Sequence, residues 1–189
     1  MKQSSRRTVF IAAAILGPQA AAWLVYRAVE RNREADHEAR FSYDVIEPPE
    51  LVPNLTFENI RGEPVALGAY THRPVLLHFW ATWCAPCREE LPMLLEHAAS
   101  RSASRTLALV LVSLDENWQV IRHYFNGAVP PEVVRDTTRE AARILGAKTL
   151  PGTLLLLPPG SVIARVRGAR DWRTEEARSI VAKLARLEQ

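Results

Sequence analysis

Cys84 and Cys87 are the only cysteines in a chain of 189 residues, and they sit two residues apart in Trp83-Cys84-Ala85-Pro86-Cys87. Thiols at that spacing can close a covalent staple, hold a metal, or exchange electrons. A permanent bridge over so short a loop removes little entropy from the unfolded chain, which makes the staple a weak explanation. A structural zinc site takes four Cys or His ligands, and there is no second cysteine pair. His72, His78 and His97 are near in sequence, but His78 falls in a predicted strand and His97 far along a predicted helix. No dedicated metal site is expected; transient Cu(I), which favours thiolates, stays open.

The third use depends on the elements around the pair. Val75-Leu76-Leu77-His78-Phe79-Trp80 is nearly continuous apolar sequence, the pattern of a strand covered on both faces of a sheet. A helix is predicted from Cys84 to about Ala99, with Leu91, Leu94, Leu95 and Ala98 along one side and a kink at Pro92, which lacks an amide donor. Cys84 then stands at a helix N-terminus, where free amides and the positive end of the dipole favour a thiolate. Such cysteines have pKa values of roughly 3.5 to 7.5 instead of about 8.5. In a redox centre Cys84 is the attacking nucleophile, and Cys87, one turn further in, resolves the mixed disulfide. Pro86 occupies a first-turn position where no amide partner is needed, and fixes the approach of the helix.

The remaining elements complete an alternating pattern. Leu55-Thr56-Phe57 and Val65-Ala66-Leu67 flank a turn and predict a short hairpin. Residues 107–114 read as a second buried strand, followed by a short helix on Trp118, Ile121 and Phe125. Thr137 and Glu140 have capping-box spacing, with Gly146 placed to end that helix in the left-handed conformation. Residues 153–157 and 162–166 flank Pro158-Pro159-Gly160 as an antiparallel hairpin, and a closing helix starts near Thr174. Strand, helix, strand, helix, hairpin, helix implies an α/β sandwich with a mixed sheet.

Composition limits the function classes. A hydrophobic content of 48% with 24% charged residues is that of a folded domain. Lys2, Arg6 and Arg7 account for the whole net charge of +3. The rest is balanced, with no basic stripe for nucleic acid. Residues 9–26 carry no charge and are just long enough to cross hydrocarbon, which takes roughly 20 helical residues. The basic residues before them predict residues 1–8 in the cytoplasm and the C-terminal bulk outside it. We expect a transmembrane anchor, with a cleavable signal peptide as the rival, because Ala20-Ala21-Ala22 offers a small-residue cleavage site. Residues 27–50, charged and then Pro-punctuated, read as a juxtamembrane linker, and residues 51–189 as the domain.

The stretch Phe79-Trp80-Ala81-Thr82-Trp83-Cys84-Ala85-Pro86-Cys87-Arg88-Glu89-Glu90-Leu91-Pro92 resembles the active-site segment of the TlpA/ResA-like family of membrane-anchored, extracytoplasmic thioredoxin-like proteins. Motif order and element order extend the resemblance over residues 51–189, and it is most specific in residues 75–95. It implies a thioredoxin-like fold, a redox-active disulfide between Cys84 and Cys87, and exchange with disulfide-containing protein substrates. It also implies a membrane electron-donor protein upstream, and no cofactor, since the two thiols carry the electrons.

The resemblance assigns further residues. Pro151 matches the family's cis-proline beside the disulfide, and with it the Leu150 backbone would offer a partner's extended chain a hydrogen-bonding edge. Gly152 stands where the family commonly has Thr or Ser, which opens the groove. Glu90 matches an acidic residue that would move protons for Cys87. His78 occupies the strand position where relatives carry Asp or Asn, and is expected to titrate near neutral pH as a second proton acceptor. Trp83, with Ala85 and Pro86, is expected at an exposed rim for partner contact, Trp80 in the core. Trp118 and Trp172 read as core, and Glu89 as solvated.

Direction is not fixed by fold, since related scaffolds span about −270 to about −120 mV. The absence of a His between the cysteines, the negative charge of Glu90 and the resemblance to reductases all lean towards reduction. Maturation of cytochrome c or of a copper site are examples of such work. The alternative from another class is a copper- or haem-pathway accessory module whose thiols bind metal. A peroxidase of the peroxiredoxin group is disfavoured, because its reactive Cys lies in a different context with Pro and Thr just upstream.

Overall fold

The two most apolar stretches become the centre of the sheet, because only there can both faces of a strand be covered. Strand β4 (Val75–Trp80) runs parallel to β5 (Ala108–Ser113), in register from Val75 opposite Ala108 to Trp80 opposite Ser113. The computed structural model describes residues 23, 25–27, 41–99 and 107–186. The chain divides into two compact units, Met1–Arg40 and Phe41–Gln189, and the second carries the sheet.

The other strands are β1 (Asp44–Leu51), β2 (Thr56–Glu58), β3 (Pro64–Ala66), β6 (Val133–Arg135), β7 (Gly152–Leu157) and β8 (Ser161–Arg167). The sheet order is β1-β8-β7-β4-β5-β6-β2-β3, with β4, β5 and β6 parallel and the remaining pairs antiparallel. Helices α1 (Ala85–Ala99), α2 (Trp118–Tyr124), α3 (Glu140–Ile144) and α4 (Glu175–Arg186) cover it.

Alternation along β4 divides the core. Leu76 and Trp80 face a cluster with Cys84, Cys87, Leu91 and Leu94 of the α1 region, Ile121 of α2 and Val181 of α4. Val75, Leu77 and Phe79 face the other cluster, with Phe57, Ala141 and Ala142. This is the mixed α/β sandwich expected from the element order.

Three local expectations change. Asp44–Leu51 is an edge strand, although the sequence reading assigned residues 27–50 to a linker. Its Pro48 and Pro49 are tolerated because an outermost strand has one side free of ladder bonds. Strand β6 was not expected: three residues carry too short a pattern to read. At α3 the Thr137–Glu140 capping box does not form, since Arg139 takes the N-cap position with φ 57° and no side-chain cap bond. Thr138 Oγ1 instead accepts from Glu140 N at 3.3 Å, and Asp136 Oδ2 from Ala142 N at 3.0 Å. Gly146 does end α3 in the left-handed region, at φ 67°.

The expected membrane span, residues 9–26, lies outside the described residues apart from Trp23, Val25 and Tyr26. Among the described residues, no helix is long and apolar enough to cross a membrane.

Candidate active site

The site is built where β4 hands over to α1. Trp80, fully buried, packs against Tyr124 and Phe125 with ring centroids 5.6 and 5.8 Å away and anchors the end of the strand. The next turn is held from β5. Leu114 N donates to Trp80 O at 2.9 Å, and the buried Asp115 carboxylate accepts from Thr82 N at 3.0 Å and Thr82 Oγ1 at 2.7 Å. Ser113 Oγ donates to the same carboxylate at 2.8 Å. Asp115 therefore fixes the backbone immediately before Trp83 and Cys84. Sequence reasoning passed over it, because an Asp after a strand is usually a turn residue; its position directly behind an apolar run was the available signal.

Removing this acceptor strands three donors. Asp115→Ala is expected to lower stability by about 3 kcal/mol, the range for losing buried hydrogen bonds to a charged group. A urea titration checks it. A midpoint within error of wild type would show that Thr82 finds its partners elsewhere.

The two cysteines are joined in a disulfide with Cα atoms 5.3 Å apart. Cys84 retains 6% exposure and Cys87 none, the order expected for an attacking and a resolving thiol. Cys84 N donates to Ala81 O at 3.1 Å and Arg88 N to Cys84 O at 3.2 Å, which starts the helix at Cys84. Cys87 N donates to Cys84 Sγ at 3.3 Å. In the dithiol state that amide and the helix dipole both stabilise negative charge on Sγ. Trp83 is 63% exposed, and Ala85, Pro86 and Glu89 are exposed as well, so the rim has the form the sequence suggested. Pro86, as the second residue of α1, leaves no helical bond unmade.

Glu90 is buried, with 1% exposure, one turn beyond Cys87 on the same helix. Burial raises its pKa to about 7, against the opposing effects of a hydrogen bond from Trp172 and the charge of Arg170. Trp172 Nε1 donates to Glu90 Oε1, and the Arg170 backbone amide also favours the charged form, while Oε2 is buried with no close hydrogen-bond partner among the described residues. Trp172 packs edge-on against Phe41 with centroids 4.9 Å apart, and Arg170 Nη2 donates to Ser42 Oγ at 3.1 Å. Trp172 is thus more than core filling; Phe41, assigned to the linker by sequence, forms part of its wall, and Ser42, also assigned there, holds the neighbouring Arg170. Nothing in the sequence marked an indole 82 residues from Glu90 as its partner.

His78 is buried on β4, on the face shared with Leu76 and Trp80. Its Nδ1 lies 2.9 Å from Thr153 Oγ1, opposite it on β7, and its Nε2 has no hydrogen-bond partner among the described residues. Burial lowers its pKa to about 3. The expectation of titration near neutral pH is therefore corrected: with no carboxylate among the described residues to offset desolvation, the imidazole stays neutral at physiological pH.

The Leu150–Pro151 bond is cis, and Pro151 is buried immediately before β7. Leu150 packs against both core clusters, including the one that holds Cys84 and Cys87. Gly152 lies opposite Phe79 of β4, which places this turn on the strand next to the one leading into the cysteines.

The profile of the AhpC/TSA family matches residues 49–165. The chain belongs to the AhpC/TSA family. The thiol-disulfide oxidoreductase ResA of Bacillus subtilis is 30% identical over 117 residues, 61% of this chain and 65% of that protein. The matched segment thus spans just under two thirds of that relative's length. Among solved structures, a putative thiol:disulfide interchange protein DsbE from Chlorobium tepidum superposes with a TM-score of 0.64 at 26% identity, covering 76% of this chain and 99% of the other. StoA from Bacillus subtilis, at 22% identity and a TM-score of 0.55, covers 76% of this chain and 97% of its own, and supports the fold alone. The thioredoxin-like fold and the ResA-like resemblance of this AhpC/TSA-family chain are therefore shown. The family match, residues 49–165, includes Cys84, Cys87, Glu90 and Pro151.

Proposed function

We propose that this protein is a thiol-disulfide oxidoreductase that mainly reduces disulfides of specific protein partners. The observation that carries this reading is the graded burial of Cys84 and Cys87 at the head of α1, one turn before a buried carboxylate that titrates near neutrality.

In the dithiol state the Cys84 thiolate attacks one sulfur of a partner disulfide. That S–S bond breaks, the other partner sulfur leaves and takes a proton, and a mixed disulfide forms. Cys87 then passes its proton to the Glu90 carboxylate and attacks Cys84 Sγ. The Cys84–Cys87 bond forms, the partner leaves as a dithiol, and two electrons have moved from the cysteine pair to the partner. Glu90 suits the transfer because a base with pKa of about 7 is ionised often enough to accept a proton and weak enough to return it. His78, held neutral with a pKa of about 3, orders Thr153 and does not compete for that proton.

The setting proposed for this chemistry is extracytoplasmic. Residues 9–26 tether the domain to the cytoplasmic membrane, with residues 1–8 inside and a membrane electron-transfer protein regenerating the dithiol. Partners in cytochrome c or copper-site maturation fit such a reductant.

The test is a trap. Cys87→Ala is expected to stall the mixed disulfide on Cys84 and retain the partner covalently, readable by non-reducing electrophoresis and peptide mapping. Failure to trap any partner, together with stoichiometric Cu(I) binding by the pair, would favour the metal-binding alternative. Peroxide-dependent thiol consumption without disulfide exchange would favour a peroxidase. A couple more oxidising than about −180 mV would reverse the proposed direction.

A further inference from the structure

The turn at Leu150-Pro151-Gly152 has a second side. Along β7 and β8, Gly152 pairs with Arg167 and Leu154 with Arg165, and Leu154 and Phe79 belong to the cluster facing away from the cysteines. On that face a cleft of about 500 Å³ opens between the end of α3, the residues entering β7, and β8. Three cations line it: Lys148, Arg165 and Arg167.

Only one of the three is neutralised. Arg167 pairs with Asp44 of β1, whereas neither Lys148 nor Arg165 has an ion-pair partner among the described residues. Arg165 Nη2 donates to Leu145 O at 3.1 Å, and its Nε is buried without a hydrogen-bond partner among the described residues. A guanidinium held this way retains donor capacity that a planar carboxylate satisfies well. Gly152 keeps the cleft open where it meets the turn: a Cβ there would lie 3.3 Å from Thr149 O and 3.8 Å from the Ala147 Cβ, both in the lining.

The strand geometry of a bound partner connects the two faces. Successive side chains of an extended chain point to opposite sides. A partner segment lying along the Leu150 to Gly152 edge that turns its cysteine towards Cys84 turns the residues one before and one after towards the cationic cleft. We propose that this cleft binds a carboxylate side chain of the partner polypeptide, one residue from the cysteine under attack, and so selects acidic protein substrates. The inference rests on the reductase reading above.

The experiment compares two dye-quencher peptides linked through a disulfide and identical in composition, one with Glu adjacent to the cysteine and one with that Glu two residues away. Equal net charge cancels long-range steering, leaving position alone. With the full-length reduced protein, kcat/KM is expected to favour the adjacent-Glu peptide by about fivefold to tenfold, since exposed pairs contribute about twofold to fivefold each. The preference should fall to about one in Lys148→Gln/Arg165→Gln and shrink in 0.5 M salt. Arg165 also braces the end of α3, so Lys148→Gln, at an exposed side chain with no side-chain hydrogen bond, serves as the independent variant and should lose about half the preference. Equal reduction of both peptides by wild type, or a preference that survives both substitutions, overturns the inference and leaves the reductase reading standing. Reduction of neither peptide overturns the reductase reading and the inference with it.

Discussion

Cys84→Ser is expected to lower the rate of partner disulfide reduction by at least about a thousandfold, since a serine hydroxyl at this position is neither ionised nor comparably nucleophilic. The effect belongs to chemistry and not to folding. Cys84 contributes to the helix start through backbone bonds, Cys84 N to Ala81 O and Arg88 N to Cys84 O, which serine keeps, and a serine hydroxyl can still accept from Cys87 N as Sγ does. The loop closed by Cys84–Cys87 spans a sequence separation of 3, so losing the bridge changes the unfolded ensemble little. The denaturation midpoint of Cys84→Ser should therefore coincide with that of the reduced wild-type protein. Stopped-flow reduction of a model protein disulfide, run beside urea titrations of both proteins in dithiol buffer, separates the two readings. Retained exchange in Cys84→Ser would mean that Cys87, though fully buried, is the attacking thiol, and the assignment of roles would have to be exchanged.

The roles proposed for the two cysteines rest on local rules. Helix position alone separates Cys84 from Cys87, and a run of six residues, apolar except for His78, specifies β4. The hairpin of β7 and β8 was readable from its turn residues. What escaped were features made by distant parts of the chain. Asp44–Leu51 alternates poorly, and its burial pattern is mostly exposed. Its pairing with β8 is decided by an edge that only the folded sheet provides. Asp115 and Trp172 look ordinary in sequence and become parts of the site because β5 and the segment before α4 deliver them to Thr82 and Glu90. His78 shows the converse. Its position was right and its chemistry was not, since burial, with no offsetting charge among the described residues, lowers its pKa to about 3.

Glu90→Gln is expected to do two opposite things, and their combination is diagnostic. The folded protein holds Glu90 at a pKa of about 7 against an ordinary 4.5, because burial disfavours the carboxylate. A raised pKa means that the native state binds the proton more tightly than the unfolded chain. Its stabilising contribution is complete below about pH 4.5 and is lost as pH rises through about 7, on the order of 3 kcal/mol in total. Glutamine mimics the protonated form and still accepts from Trp172 Nε1 through its carbonyl. At pH 8 the variant should therefore be more stable than wild type by that order, and the gap should close as pH falls towards 4.5; the slope left in the variant, a loss of stability below about pH 6.5, is that of the buried neutral His78. Yet it cannot take the proton from Cys87, so the resolving step should slow by about a hundredfold and lose its dependence on pH near 7. Trp172→Phe supplies the control. Removing the indole donor withdraws a hydrogen bond that lowers the Glu90 pKa, so the inflection in the rate profile should move upward, with the carboxylate still present. Chemical denaturation across pH and single-turnover resolution of a preformed mixed disulfide measure the two halves. A Glu90→Gln protein that resolves at the wild-type rate would show Glu90 to be a buried structural acid and would leave the Cys87 proton to solvent.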